Sequence, residues 1–251
     1  MFDVLEIFVR VFAVTLPVWV MAILALGAVR AGLSGFQITQ AAFWTALISG
    51  VWFAASVPLA QIGAFRVPDS FAEPPVVIGF LIGGAVLIWG LARKTATGRQ
   101  ITDAAPLSAI ASFQIARVMG GLFLVGWLIG RVPPEFAIPA GLGDIWAGIA
   151  GYQATRALAA GAPDARRKLA RANTIGLADF AIAVVLGVMT SEGMFHTLSK
   201  DAPNIINDYP LALFPAYFVP IFMGFHFIAI SRLRAEQKEH AQLLEIQGQS
   251  S

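Results

Sequence analysis

SFQIARVMGGLFLVGW, residues 112–127, decides how the whole chain is read. It lies inside an apolar run, 107–130, long enough to cross a hydrocarbon layer as a helix, yet it carries Gln114 and Arg117 near its middle. A helix at the surface of a soluble domain would hand such an arginine to water; a helix in lipid has to turn it inward and give it a partner. Composition chooses between the two. Hydrophobic residues make up 57% of the 251 and charged residues only 13%, about half the charge of a typical soluble domain, and the mean hydropathy is +0.73. One soluble core cannot hide that much apolar surface, so the chain reads as an all-α, polytopic membrane bundle with the lipid bilayer as its first partner.

Working outward from the quoted stretch, seven apolar runs approach the roughly 20 residues that span about 30 Å of hydrocarbon. They cover 7–29, 38–61, 75–91, 107–130, 139–159, 172–190 and 210–231. Proline with charge breaks the chain at VPDSFAEPP (67–75) and RVPPEFAIP (131–139), while KTATGRQITDAAP (94–106) is a polar break and AGAPDARRKLARAN (160–173) the strongest one. EGMFHTLSKDAPNIINDYP (192–210) reads as a connector in preference to an interfacial lid. Asp3 and Glu6 precede the first run where a cleavable leader would carry basic residues, so that run is expected to be retained. Pro17 and Pro58 fall inside runs, where neighbouring helices can satisfy the freed carbonyls. The expected domains are a transmembrane unit, 1–233, and a cytoplasmic tail, 234–251, that extends the last helix.

Basic residues favour the cytoplasmic side of a membrane. With the N-terminus outside and the C-terminus inside, 12 of the 17 Lys and Arg fall in inner loops and tail, 4 fall outside, and Arg117 is left within a span. The acidic residues, not used in that choice, lie eight outside and five inside. A net charge of only +2, spread over loops between apolar runs, points to bilayer orientation and away from nucleic acid. Without cysteine there is no disulfide and no thiolate chemistry. Self-association stays open.

Arg117, Asp144, Asp179 and His226 are the ionisable residues expected at depth, where such groups face the bundle interior and take partners. Gln114, Arg117 and Gly121, at i, i+3 and i+7, share one face of an α-helix. At about 1.5 Å per residue, Asp179 and His226 come out about 10 Å from the inner face and Asp144 about 8 Å from the outer one. Asp179 is therefore the expected partner of Arg117, with His226 close by, Asn173 on the same helix as Asp179, and Asp144 as the competing partner. The neighbouring runs contain a local echo: GLGDIWAGIAG (141–151) and GLADFAIAVVLG (176–187) both read Gly-Leu-small-Asp, and helix packing accounts for the glycines but not for the aspartates. Gly141, Gly148, Gly151 and Gly176 are assigned to close helix packing.

The motifs FAIPAGLGD (136–144), NTIGLAD (173–179) and PIFMGFHFIAISRL (220–233) resemble a group of uncharacterised bacterial multi-pass membrane proteins over the chain from about Gln114 onward. The resemblance implies a bacterial cytoplasmic membrane and no particular activity.

Several functions fail on residue type. Retinal needs a lysine within a span, and Lys94, Lys168, Lys200 and Lys238 all lie in loops or tail. Bis-histidine haem needs a second histidine at depth, but His196 is in a loop and His240 in the tail. No cofactor or metal is therefore expected. A metal-dependent intramembrane hydrolase would draw on Asp144, Asp179 and His226, without any histidine pair at helical spacing. A small-solute or proton-coupled transporter is the reading that uses all the buried polar groups, with Asp179 and His226 as a proton relay. The alternative is a scaffold or partner-binding subunit in which the Arg–Asp pair only fixes helix register.

Overall fold

The computed structural model describes residues 4–202 and 204–249, and for His240, Gly248 and Gln249 the backbone alone. Asp3 and the His240 side chain lie outside the described residues. Every regular element among the described residues is helical: α1 (Val4–Arg30), α2 (Gly35–Gln61), α3 (Val76–Lys94), α4 (Ala96–Ala104), α5 (Leu107–Ser112), a 3₁₀ segment (Phe113–Gly120), α6 (Gly121–Leu128), α7 (Pro134–Ala159), α8 (Ala165–Thr190), one π turn (Phe214–Phe218) and α9 (Val219–Gln249).

Among the described residues six stretches are long and apolar enough to cross a membrane: α1, α2, α3, Leu107–Leu128, α8 and the run from Phe214 into α9. The seventh expected span corresponds to α7, which has the 26 residues of α8. Glycines, Asp144, Gln153 and Arg156 dilute its apolar content. Instead α7 buries a long face that includes Ala140, Asp144, Ala147, Ala150 and Ala154. The opposite case is α2, which buries only Ser56 and Ala60 and starts from a reciprocal Ser34–Gln37 capping box. In α1 the buried positions Leu5, Val9, Leu16 and Ile23 form one stripe, the pattern of a helix with a single inward face.

Four sequence boundaries shift. The polar break 94–106 contains α4, capped by Thr95, whose hydroxyl accepts from Gly98 N at 3.0 Å. Arg93 reaches across to Thr102 and Asp103 at 3.0 and 2.5 Å. The span from residue 107 is not one α-helix but α5, a 3₁₀ segment and α6. α7 begins at Pro134 and not at Pro139, because proline at the first helical position gives up no hydrogen bond. The basic stretch ARRKLARA, read as a break, is the opening of α8, since Arg and Lys are good helix formers once a turn has been made at Gly161 (φ 64°).

The helices run up and down, so the molecule has two ends. At the loop end Arg66 pairs with Asp208 at 2.7 Å, Met194 N donates to Pro68 O at 2.9 Å, and Tyr209 donates to Glu6 at 3.2 Å. The segment 192–210 is more than a connector: its own Asn204, Ile206 and Asn207 are buried. At the tail end Arg232 donates to Ala105 O at 3.1 Å and Arg166 to Glu236 at 2.7 Å. α9 passes residue 233 without a break and carries the tail as helix.

Candidate functional site

Arg117 is fully buried, and its side chain is enclosed by α7, α8 and α9. Its Nε donates to Asp144 Oδ1 at 2.7 Å, and Nη2 lies 2.7 Å from the same oxygen. Nη2 also donates to Asp179 Oδ2 in a close contact. Nη1 donates to Gly176 O at 2.8 Å and faces His226 Nε2 at 3.5 Å. The Phe180 ring covers the guanidinium, its centroid 3.6 Å from Cζ, an arrangement in which ring and cation attract. Each guanidinium nitrogen thus has an acceptor, which is how a charge survives away from water.

Asp144 and Asp179 are partners together, where the sequence reading had them compete. The error came from helix ends. Asp144 is ten residues from the true start of α7 and Asp179 fourteen from the true start of α8. They sit about 15 Å and about 21 Å from opposite ends of helices about 39 Å long, and so at one level. The echoed Gly-Leu-small-Asp motifs place one carboxylate from each of two antiparallel helices on the same arginine.

The shared face of the Gln114 helix also changes. A 3₁₀ segment repeats every three residues, so Gly120 and not Gly121 stands in line with Gln114 and Arg117. A Cβ on Gly120 would lie 2.2 Å from Asp144, whereas one on Gly121 would meet nothing nearer than 3.8 Å. Gln114 itself reaches α9, donating to Phe222 O at 3.2 Å; its Oε1 is buried without a partner.

His226 has a defined role among donors. A guanidinium can only donate, so His226 Nε2 is the acceptor and the proton sits on Nδ1, which donates to Asn173 Oδ1 at 2.7 Å. The ring is therefore neutral in this arrangement. Asn173 Nδ2 is buried and unpartnered.

Gly141, Gly148 and Gly151 lie against Leu124, Val118 and Gln114, so their stripe packs on the segment that carries Arg117. Gly176 faces the polar group itself: a Cβ there would come within 2.4 Å of His226 and 2.8 Å of Arg117. Sequence reasoning missed Phe180, Gly120 and Gly143. A Cβ on Gly143 would sit 1.7 Å from Asp179 Oδ1; the only available signal was its place inside GLGD, beside the aspartate.

A cavity of about 70 Å³ touches both carboxylates; Phe136, Phe180, Leu81 and Asn207 are among its walls. A polar hollow of about 250 Å³ lies at the loop end, lined by Arg66, Ser191, Glu192, Asn204, Asn207 and Asp208. Asp208 beside Arg66 raises the pKa of that guanidinium above its ordinary value. Among the described residues no three His, Asp or Glu side chains are grouped to hold a metal. Asp144, Asp179 and His226 converge on Arg117, a cation that occupies the place a metal would need.

Comparison with curated proteins and with solved structures finds no match. A family model does match, and it begins at residue 74, ahead of the motifs that carried the resemblance, taking in α3 through the start of the tail and every residue of the Arg117 cluster. Over residues 74–234 the chain belongs to the family described as a domain of unknown function, DUF8737.

Proposed function

We propose that the protein is a proton-coupled carrier of the cytoplasmic membrane, and that the Arg117 cluster is its proton-binding site. The observation that carries this is a charge count: one guanidinium is bonded by two carboxylates, and the hydrogen-bond pattern around the histidine beside it suits a neutral ring. Fully ionised, the group holds a surplus negative charge in a place where uncompensated charge is very costly. Two carboxylates sharing one site resolve this by holding a proton between them, as acid pairs in other proteins do. A clamp that only fixed helix register would need one carboxylate for one arginine. The second carboxylate, with a cavity against it, is what a site that takes up and gives back a proton requires.

In this reading α7 is the seventh span, its polar face covered by α8 and by the segment carrying Arg117. The N-terminus lies outside and the tail inside, in keeping with the 12-to-4 split of basic residues. The loop end is then the outer end. Reporter fusions at the two termini check that orientation.

The clamp remains the second reading, favoured by how completely Arg117 is coordinated and by its full burial. Purified protein in liposomes, with a pH-sensitive dye inside and an imposed pH gradient, separates the two across a panel of small solutes. A carrier moves protons with one of the solutes and stops when Asp144→Asn or Asp179→Asn is introduced. No proton movement by wild-type protein with any solute would favour the clamp.

A further inference from the structure

Resting on the proton-site reading, we infer that the carboxylate pair communicates with water from the loop end alone, through a neck at Asn207. Asn207 lines both the cavity that touches Asp144 and Asp179 and the polar hollow under the loop 191–208. It is thus the one described side chain shared by the two spaces. Around it lies a set of buried polar groups that the Arg117 cluster does not use. Asn207 Nδ2 donates to Ser191 Oγ at 3.1 Å, and Asn204 Nδ2 donates to Thr190 Oγ1 at 3.0 Å. All four residues are buried. Polar side chains sequestered between an apolar cavity and a charged hollow mark a path for water and protons, since helix packing alone would be served by apolar residues there.

On the tail side a third cavity, of about 510 Å³, is lined by Phe225 and Ile228 but not by His226, Asn173 or Arg117. His226 and Asn173 line neither of the other two spaces, and the hydrogen bond between them lies on the tail side of Arg117. Asn173 Nδ2 and Gln114 Oε1, both buried and unpartnered, lie on that same side.

In this route the ligand of the carboxylate pair is a proton delivered on water, for which the cavity of about 70 Å³ against the pair has room. The titratable and charged groups that face the pair are Arg117, Asp144, Asp179 and His226, with Arg66, Glu192 and Asp208 at the mouth.

The absence of cysteine gives a background-free test. Ala183→Cys places a thiol on the cavity wall, with Val188→Cys on the same wall as a second variant should the first fail to fold. Silver ion, small enough to travel with water, is added to one side of vesicles whose orientation is set by a tag on the tail, and the remaining free thiol is read after denaturation. Entry through the neck predicts modification about tenfold or more faster from the loop end than from the tail end, because an ion arriving from the tail would have to cross apolar packing. Asn207→Leu, added to the same background, is expected to slow the loop-end reaction by a similar factor. Equal rates from the two sides, or a rate unmoved by Asn207→Leu, would overturn the route. If the asymmetry holds while wild-type liposomes move no protons, the route stands and the carrier reading fails. If protons move but silver reacts symmetrically, the carrier reading stands and the route fails.

Discussion

Arg117 meets two negative charges with one positive, and the consequences can be measured one side chain at a time. Asp144→Asn or Asp179→Asn alone leaves one carboxylate for one guanidinium, the balance that a bound proton already provides. Each single variant is expected to stay within about 1 kcal/mol of wild-type stability, the worth of one hydrogen bond rearranged. The double variant strands the guanidinium, and Arg117→Ala strands the carboxylates; each should cost about 3–5 kcal/mol. Denaturation in detergent checks the order, and equal damage from single and double variants would speak against a shared proton. An arginine in the middle of an apolar run announces that it has partners, and that much was legible in the sequence. That both aspartates were its partners was not, because depth was counted from apolar boundaries that miss the first turns of α7 and α8. Phe180 gave no signal, since an aromatic next to an aspartate is ordinary in a lipid-facing helix.

At the scale of elements the 3₁₀ segment is the feature that hydropathy could not show. Its residues are as apolar as those of an α-helix, and only the contacts of Gly120 betray the tighter repeat. Alanine distinguishes the two periods. Gly120→Ala drives a methyl into Asp144 and is expected to cost about 1–3 kcal/mol. Gly121→Ala makes only an ordinary contact with Ile145 at 3.8 Å and should be neutral or gain up to about 1 kcal/mol from helix propensity. Thermal unfolding of the two variants reads the difference, and a more damaging Gly121→Ala would restore the uniform α-helix. The same tightening aligns Gln114, Arg117 and Gly120 along one edge, so the segment that looks like a defect in a span is what aims its polar groups at α7, α8 and α9. Short polar helices such as α4 escaped notice for a related reason: nine residues of mixed composition carry too little periodic signal to rise above a loop.

Across the whole molecule, a bundle with apolar surroundings concentrates its buried charge at one level and connects it to one end. The all-helical architecture and the six stretches long and apolar enough to cross a membrane were legible because apolar length is a strong signal. The run 139–159 was read as a seventh, but α7 falls short of the others because its glycines, Asp144, Gln153 and Arg156 lower its hydropathy. The central claim is that one exchangeable proton belongs to the Asp144–Asp179 pair. Infrared difference spectra of the protein in lipid at neutral pH, in light and heavy water, test it most directly. The account predicts a carboxylic-acid carbonyl band that shifts on exchange and is missing from both Asp144→Asn and Asp179→Asn; a spectrum with no such band, or one that keeps it in both variants, would contradict the account.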